Sequence, residues 1–333
     1  MGNTSVHWLI PGNYRSSADL SRSNLASIRM RAGLVGKHAH DIQTEFSAGD
    51  KINAKADVLV VGKIGGDCQN GRDNLWMSQL YEAQQQSKKI VLDYTDHHLE
   101  SINSPMGNFY KNILPLIDES VASSTGISKL LRQFFNKEIT VIEDPIEIQI
   151  TPPKNTIPNG ELTLLWFGHA TNVSYLASYL QNNFLCDENF RVIALSNGPG
   201  LEMLASYKNN LRSSIQLDLV EWSLQNMINA SKASQCCLIP SALNDSRKSG
   251  ASSNRLITAF ALGLPVTADV LESYSPFSDY FHDIRETPLS VFIKQLTLYA
   301  QKVEFAQRTV VPMFSQEALA QKWKNFFRST RKN

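Results

Sequence analysis

The feature of this sequence that most limits its fold is an alternation of short apolar runs, each closed by turn or glycine residues, with longer amphipathic stretches. Runs too short for a helix, separated by helix-length segments, are the pattern of parallel strands joined by crossover helices. Residues 7–11 read as the first strand and 57–61, 90–92, 117–123 and 139–142 as later ones, with helices expected at 24–31, 75–86 and 128–135. The stretch 151–160 then holds three prolines and a glycine in ten residues, which suits a linker better than either element. A second series begins directly after it, with strands expected at 162–167, 191–195, 215–220 and 235–239. Two doubly wound α/β domains follow from this pattern.

Size agrees, because 333 residues that are 42% apolar and 19% charged are more than one core usually holds. Lys and Arg number 32 against 31 Asp and Glu, a formal charge of +1. Overall charge therefore gives no reason to expect a nucleic acid partner, and any phosphate chemistry has to be local. Cys68, Cys186, Cys236 and Cys237 form no CxxC pair, so neither a disulfide framework nor a zinc site is expected, and a reducing cytoplasm is. No apolar run approaches the roughly 18 residues of a spanning helix, and residues 1–10 lack the basic start and apolar stretch of a signal peptide.

A last helix is expected at residues 316–328, opened by Ser315, with Leu319, Trp323, Phe326 and Phe327 on one face. Coming after a complete second domain, that face needs a cover, and the first domain is the expected one. Lys322, Lys324, Arg328, Arg331 and Lys332 surround it, which is ordinary for a helix C-terminus and would also favour an anionic surface. Peripheral contact with the inner membrane face is the alternative expectation for these residues.

The stretch from Pro240 to Val266 reads as a loop of small residues, a helix and a strand. Small residues let backbone N–H groups approach a ligand, and Ser252 or Ser253 can cap the helix that follows. Leu256, Ile257, Phe260 and Ala261 give that helix a buried stripe, and Gly263 and Pro265 end it. With Lys248 and Arg255 beside its start, this segment reads as a diphosphate site or, more plainly, as a surface helix with two solvated cations.

Here the residues carry a resemblance. Asn254-Arg255-Leu256-Ile257, leading into Ala261-Leu262-Gly263-Leu264-Pro265-Val266, resembles the donor-binding segment of GT-B glycosyltransferases of the glycosyl-transferase group 1 type. Leu165-Trp166-Phe167-Gly168 with Asn172, Cys237-Leu238-Ile239-Pro240 and residues 27–31, 56–60, 90–96 and 118–124 fall in the family's order. The resemblance implies two Rossmann-like domains facing a cleft: an acceptor-side domain at 1–155, a nucleotide-sugar-binding domain at 156–312, and a helix at 313–333 crossing back to the first. It implies a nucleotide diphosphate sugar as co-substrate, a glycan or lipid-linked glycan as acceptor, and no metal or other cofactor. Lys248, Ser249, Ser252, Ser253, Asn254 and Arg255 are then expected around the diphosphate, and Gly168, His169, Asn172 and Thr258 elsewhere on the donor side. Two departures stand out. Gly250 and Thr258 occupy the positions where many members carry two glutamates, so the ribose contact is lost or moved. His169 and Asn172 stand where many retaining members have an Arg and a Lys, which leaves the stereochemistry open.

For the acceptor, Asp93, Asp96, His97 and His98 cluster within six residues at the expected ligand edge of the first sheet. Asp96 or His97 is expected to take the acceptor hydroxyl proton, while Asp93 reads as an acceptor-side group or a turn cap. No further cluster completes a metal shell around these four. Gly12 and Asn13 after the first strand, and Lys63 before Gly65-Gly66, are the other acceptor-side residues. Trp222 either stacks a base or fills the core. The expected activity is metal-independent, hexosyltransferase-like transfer in surface polysaccharide synthesis; the alternative is a non-catalytic GT-B protein that binds a nucleotide or a glycan.

Overall fold

The structure, a computed structural model, describes residues 4–101, 103–154, 161–182, 189–245, 248 and 250–330. The chain divides into two compact units. The first comprises Met1–Pro145, Gly250–Ser252 and Phe314–Asn333, and the second Ile146–Ser249 and Ser253–Met313.

Among the described residues the first unit has one six-stranded parallel sheet, with β1 Thr4–Leu9, β2 Thr44–Gly49, β3 Val58–Val61, β4 Lys89–Tyr94, β5 Glu119–Ala122 and β6 Ile139–Val141 in the order β2-β1-β3-β4-β5-β6. Alternation along each strand feeds two cores. Leu59, Val61, Ile90 and Leu92 point to one face, and Val6, Trp8, Val58, Val60 and Val91 to the other. Strand β2 is absent from the sequence-based expectation. It is an edge strand pairing with β1 and reads Thr-Glu-Phe-Ser-Ala-Gly, so it lacks the apolar run that marks its neighbours. The helix expected at 24–31 instead begins later, as a π-helical turn Ile28–Ala32 that continues into an α-helix at Gly33–Lys37.

The late helix Gln316–Ser329 belongs to this unit, and the Ser315 hydroxyl caps it by accepting from the Ala318 N–H. Leu319, Ala320, Trp323, Phe326 and Phe327 are buried in the core that holds Trp8 and Val58. The apolar stripe is therefore covered by protein and not offered to a membrane. Two of the surrounding cations also have partners, Lys322 with Glu143 at 2.5 Å and Arg328 with the Gln43 side chain at 2.9 Å.

The second unit repeats the plan among its described residues: β7 Leu162–Phe167, β8 Phe190–Ser196, β9 Ile215–Glu221, β10 Cys236–Ile239, β11 Val266–Ala268 and β12 His282–Asp283, all parallel, in the order β12-β11-β10-β7-β8-β9. Strand order reverses between β7 and β10 in this sheet and between β1 and β3 in the other. In open parallel sheets, ligands settle in the crevice outside the strand ends at such a reversal. Among the described residues no helix is long and apolar enough to cross a membrane.

Candidate active site

At the reversal in the second unit, the chain leaves β7 through Gly168, where a Cβ would lie 2.9 Å from the Trp166 ring. The turn is fixed from the neighbouring strand: the Ser196 hydroxyl donates to the Gly168 carbonyl at 2.8 Å, and the Ala170 N–H donates to the Asn197 side-chain oxygen at 2.9 Å. His169 is exposed and caps the short turn Ala170–Asn172 by accepting from the Thr171 N–H. Opposite stands the loop after β10. Its Lys248 donates to the Asn172 side-chain oxygen at 2.8 Å and the Thr171 hydroxyl at 3.2 Å, so one cation bridges the two loops of the crevice. The ammonium also lies 6.0 Å from the centre of the Tyr175 ring, whose hydroxyl donates to Asp245 at 3.0 Å.

The helix Asn254–Ala261 starts at this crevice and places Arg255 in its first turn. Ser253 occupies the cap position, but its hydroxyl makes no capping bond: its backbone is already near-helical and the residue is buried. The expectation that this serine caps the helix is thereby corrected. Among the described residues, Arg255 has a buried guanidinium nitrogen, Nη1, with no hydrogen-bond partner. The guanidinium is close enough to the Cys237 thiol and the Tyr274 hydroxyl to favour their ionised forms, although burial pushes both pKa values up overall, that of Cys237 to about 12. Thr258 faces inward and is buried, so it is not a surface contact for a donor. Asn254 opens the helix, Ser252 falls in the first unit, and Ser249 lies outside the described residues.

In the first unit the loops after β1 and β3 flank the reversal. Gly12 holds φ at 97° and gives its N–H to the Asp50 carboxylate at 2.6 Å, with Asn13 beside it bridging to Gly49. Asp50 also accepts from the Trp76 ring N–H at 3.0 Å and pairs with Arg72, which reaches Asp67 and the Ile64 carbonyl. Asp50, Arg72 and Trp76 thus shape the loops after β1 and β3, and none was expected from sequence. Lys63 forms an ion pair with Asp96, whose side chain is 47% exposed.

Asp93 has another role than the expected one. It is 2% exposed, and the fully buried Arg31 guanidinium donates to both of its oxygens, at 2.5 to 3.2 Å, while also donating to the Ile142 and Glu143 carbonyls. This buried pair ties the strand to the segment beyond β6 and is out of an acceptor's reach. Asp144 completes the group 3.6 Å from Arg31, and burial raises its pKa to about 6 despite that cation and a hydrogen bond with Ser252. His97 is buried too, with one ring nitrogen 3.4 Å from the Tyr94 hydroxyl and the other 3.5 Å from Glu100. Burial lowers its pKa in spite of Glu100, so it is neutral near pH 7 and supports the loop from beneath. His98 stacks on Tyr110. With Asp93, Asp96, His97 and His98 each turned to a different neighbour, they form no common metal site. Of the expected pair, Asp96 alone presents a carboxylate at the surface.

The paired doubly wound sheets and the late helix on the first unit give the chain the GT-B fold. No protein-family model matches it, and no curated protein does. Among solved structures, it is similar to a glycosyltransferase from Rickettsia africae ESF-5, with a TM-score of 0.68 and 13% identity over 100% of both chains. It is also similar to an α-glucosyltransferase, AGT, solved with UDP (TM-score 0.63, 11% identity, 98% of this chain and 99% of that one). A third is the lipopolysaccharide outer core galactosyltransferase WaaB (TM-score 0.57, 11% identity, 98% of this chain and 100% of that one). What these structures share with the chain is the fold.

Proposed function

We propose that this protein transfers a glycosyl group from a nucleoside diphosphate sugar to a glycan or lipid-linked glycan. The observation that carries the reading is Arg255: a buried guanidinium nitrogen without a partner, at the uncapped start of a helix, beside a crevice bridged by Lys248. An unpaired buried donor of this kind costs roughly 1–3 kcal/mol, and a phosphate oxygen would satisfy it with a charge-assisted bond. Lys248, Arg255 and the helix start together supply the positive field that a departing diphosphate needs, so the transfer requires no metal ion. On the first unit, Asp96 is the group we assign to the acceptor hydroxyl, with Lys63, Gly12 and Asn13 on the acceptor side. The likeness to WaaB, a lipopolysaccharide outer core galactosyltransferase, supports the glycan acceptor, and the complex of AGT with UDP supports the donor class.

The test is to incubate the purified protein with a panel of nucleoside diphosphate sugars and an acceptor extract, following both binding and release of the nucleoside diphosphate. Donor-dependent turnover that disappears in Arg255→Ala with Lys248→Met is the expected result. Binding without turnover, under any acceptor, would favour the non-catalytic reading, which the non-acidic residues Gly250 and Thr258 already motivate. Absence of binding by every donor would overturn the transferase reading and the nucleotide-binding form of the alternative.

A further inference from the structure

We infer that Tyr175 is a positioning residue for the donor site, aiming the Lys248 ammonium at the anion. The inference rests on the donor reading above and adds to it a residue that touches no donor itself. Lys248 lies in the segment after β10 and has a long, flexible stem, so its usefulness to an anion depends on how its head is restrained. Three restraints converge. Asn172 and Thr171 accept from the ammonium, which uses donors on the side of the β7 loop. The Tyr175 ring lies 6.0 Å from the same nitrogen, at the outer limit of a cation–π contact. The Tyr175 hydroxyl then donates to Asp245, whose carbonyl accepts the Lys248 N–H at 2.8 Å.

One side chain therefore faces the head of Lys248 and holds the residue whose carbonyl accepts its backbone N–H. Tyr175 is placed to do both because it lies in the first turns of the helix Val173–Asn182, directly after the Thr171 and Asn172 contacts. Asn172 offers an oxygen to a cation and brings no charge of its own. The positive charge at the mouth of the β7 loop is thus supplied from the β10 loop, and Tyr175 with Asp245 holds it there. A tyrosine that only filled space beneath Lys248 would contribute to folding, and its replacement would change anion affinity by the same factor with or without Lys248.

The experiment is a double-mutant cycle read by calorimetry, using whichever of UDP, GDP, ADP or dTDP binds the parent most tightly. Tyr175→Leu should weaken that binding about three- to tenfold when Lys248 is present and less than twofold in the Lys248→Met background. Asp245→Asn, a loop substitution with little bearing on folding, should weaken it about two- to fivefold in the same Lys248-dependent way. Equal losses in both backgrounds, or no loss in either tyrosine or aspartate variant while Lys248→Met still weakens binding, would overturn the positioning role and leave the donor reading standing. If no nucleoside diphosphate binds the parent, the donor reading fails and this inference with it. Should Tyr175→Leu not fold, Asp245→Asn and Tyr175→Phe decide the question by the same Lys248 dependence.

Discussion

Trp8 of the first strand and Trp323 of the last helix meet edge to face, their ring centroids 5.0 Å apart. Neither ring is exposed, and the Arg31 guanidinium lies 5.1 Å from the Trp323 ring centre. Trp323→Ala should accordingly destabilise the protein by about 3–5 kcal/mol, as for other large-to-small changes in a packed core. Lys322→Met, which breaks only the partly exposed pair with Glu143, should cost under about 1 kcal/mol. Chemical denaturation of both variants checks this contrast, and comparable losses would mean the helix is held by its charges.

Arg255→Ala should weaken nucleoside diphosphate binding by about 1.5–3 kcal/mol, the range for a lost charge-assisted hydrogen bond. Because Nη1 has no hydrogen-bond partner among the described residues, the melting temperature of the unliganded variant should fall little, the loss being confined to contacts such as that with Tyr274. Calorimetry with a thermal scan separates the two effects, and unchanged affinity would remove Arg255 from the site.

Asp96→Asn should lower turnover about 10²- to 10⁴-fold while leaving donor affinity near that of the parent, since a general base acts in the transition state. Asp93→Asn should behave differently. It removes the carboxylate that holds the buried Arg31 guanidinium through both oxygens and leaves that charge with Asp144 at 3.6 Å, so stability drops by about 3–5 kcal/mol. Turnover and unfolding measured on both variants would show each aspartate in its own role, and near-parental turnover for Asp96→Asn would place the base elsewhere.

Two buried groups pull stability in opposite directions in mild acid. His7, between Ser47 and the Gly49 carbonyl, has its pKa lowered by burial from 6.5 to about 4. Folding therefore holds it neutral, and its contribution is lost as pH falls from about 6.5 towards 4. Asp144 is raised from 3.8 to about 6, so its neutral form is the favoured one and stability grows as pH falls through 6. His97 and His282, also lowered by burial, add to His7, so the parent should lose stability as pH falls below 6.5, with Asp144 offsetting part of that loss. Asp144→Asn should gain on the order of 1–3 kcal/mol at pH 7.5 and then lose stability more steeply on acidification, as the three histidines act without that offset. A melting-temperature series across this range tests it, and parallel profiles for parent and variant would refute the pairing.

Strands β7, β8 and β10 were legible because each contains an apolar run, β9 because Ile215, Leu217 and Leu219 alternate with polar residues, and the last helix because its stripe repeats at helical spacing. Strand β2 was not, since an edge strand needs no continuous apolar run. With it went Asp50, which follows β2 directly and organises Gly12, Trp76 and Arg72. Asp93 was misjudged for a related reason: β4 runs to Tyr94, two residues past the expected end at residue 92, so this carboxylate belongs to the strand and turns towards Arg31. Lys248 and Asn172 were each visible as polar residues of a loop. Their meeting depends on β10 lying beside β7, a matter of strand order that spacing along the chain does not encode.

The helix Gln316–Ser329 also bears on the order in which the molecule is made. Its core partners Val6, Trp8 and Ile28 emerge from the ribosome long before it does, whereas every strand of the second sheet emerges before that helix. Synthesis at roughly 5–20 residues per second leaves the early face of the first unit without its cover until the second sheet has all its strands. The domain that starts first is therefore completed last, and its waiting apolar face is the part of the nascent chain most in need of protection from association.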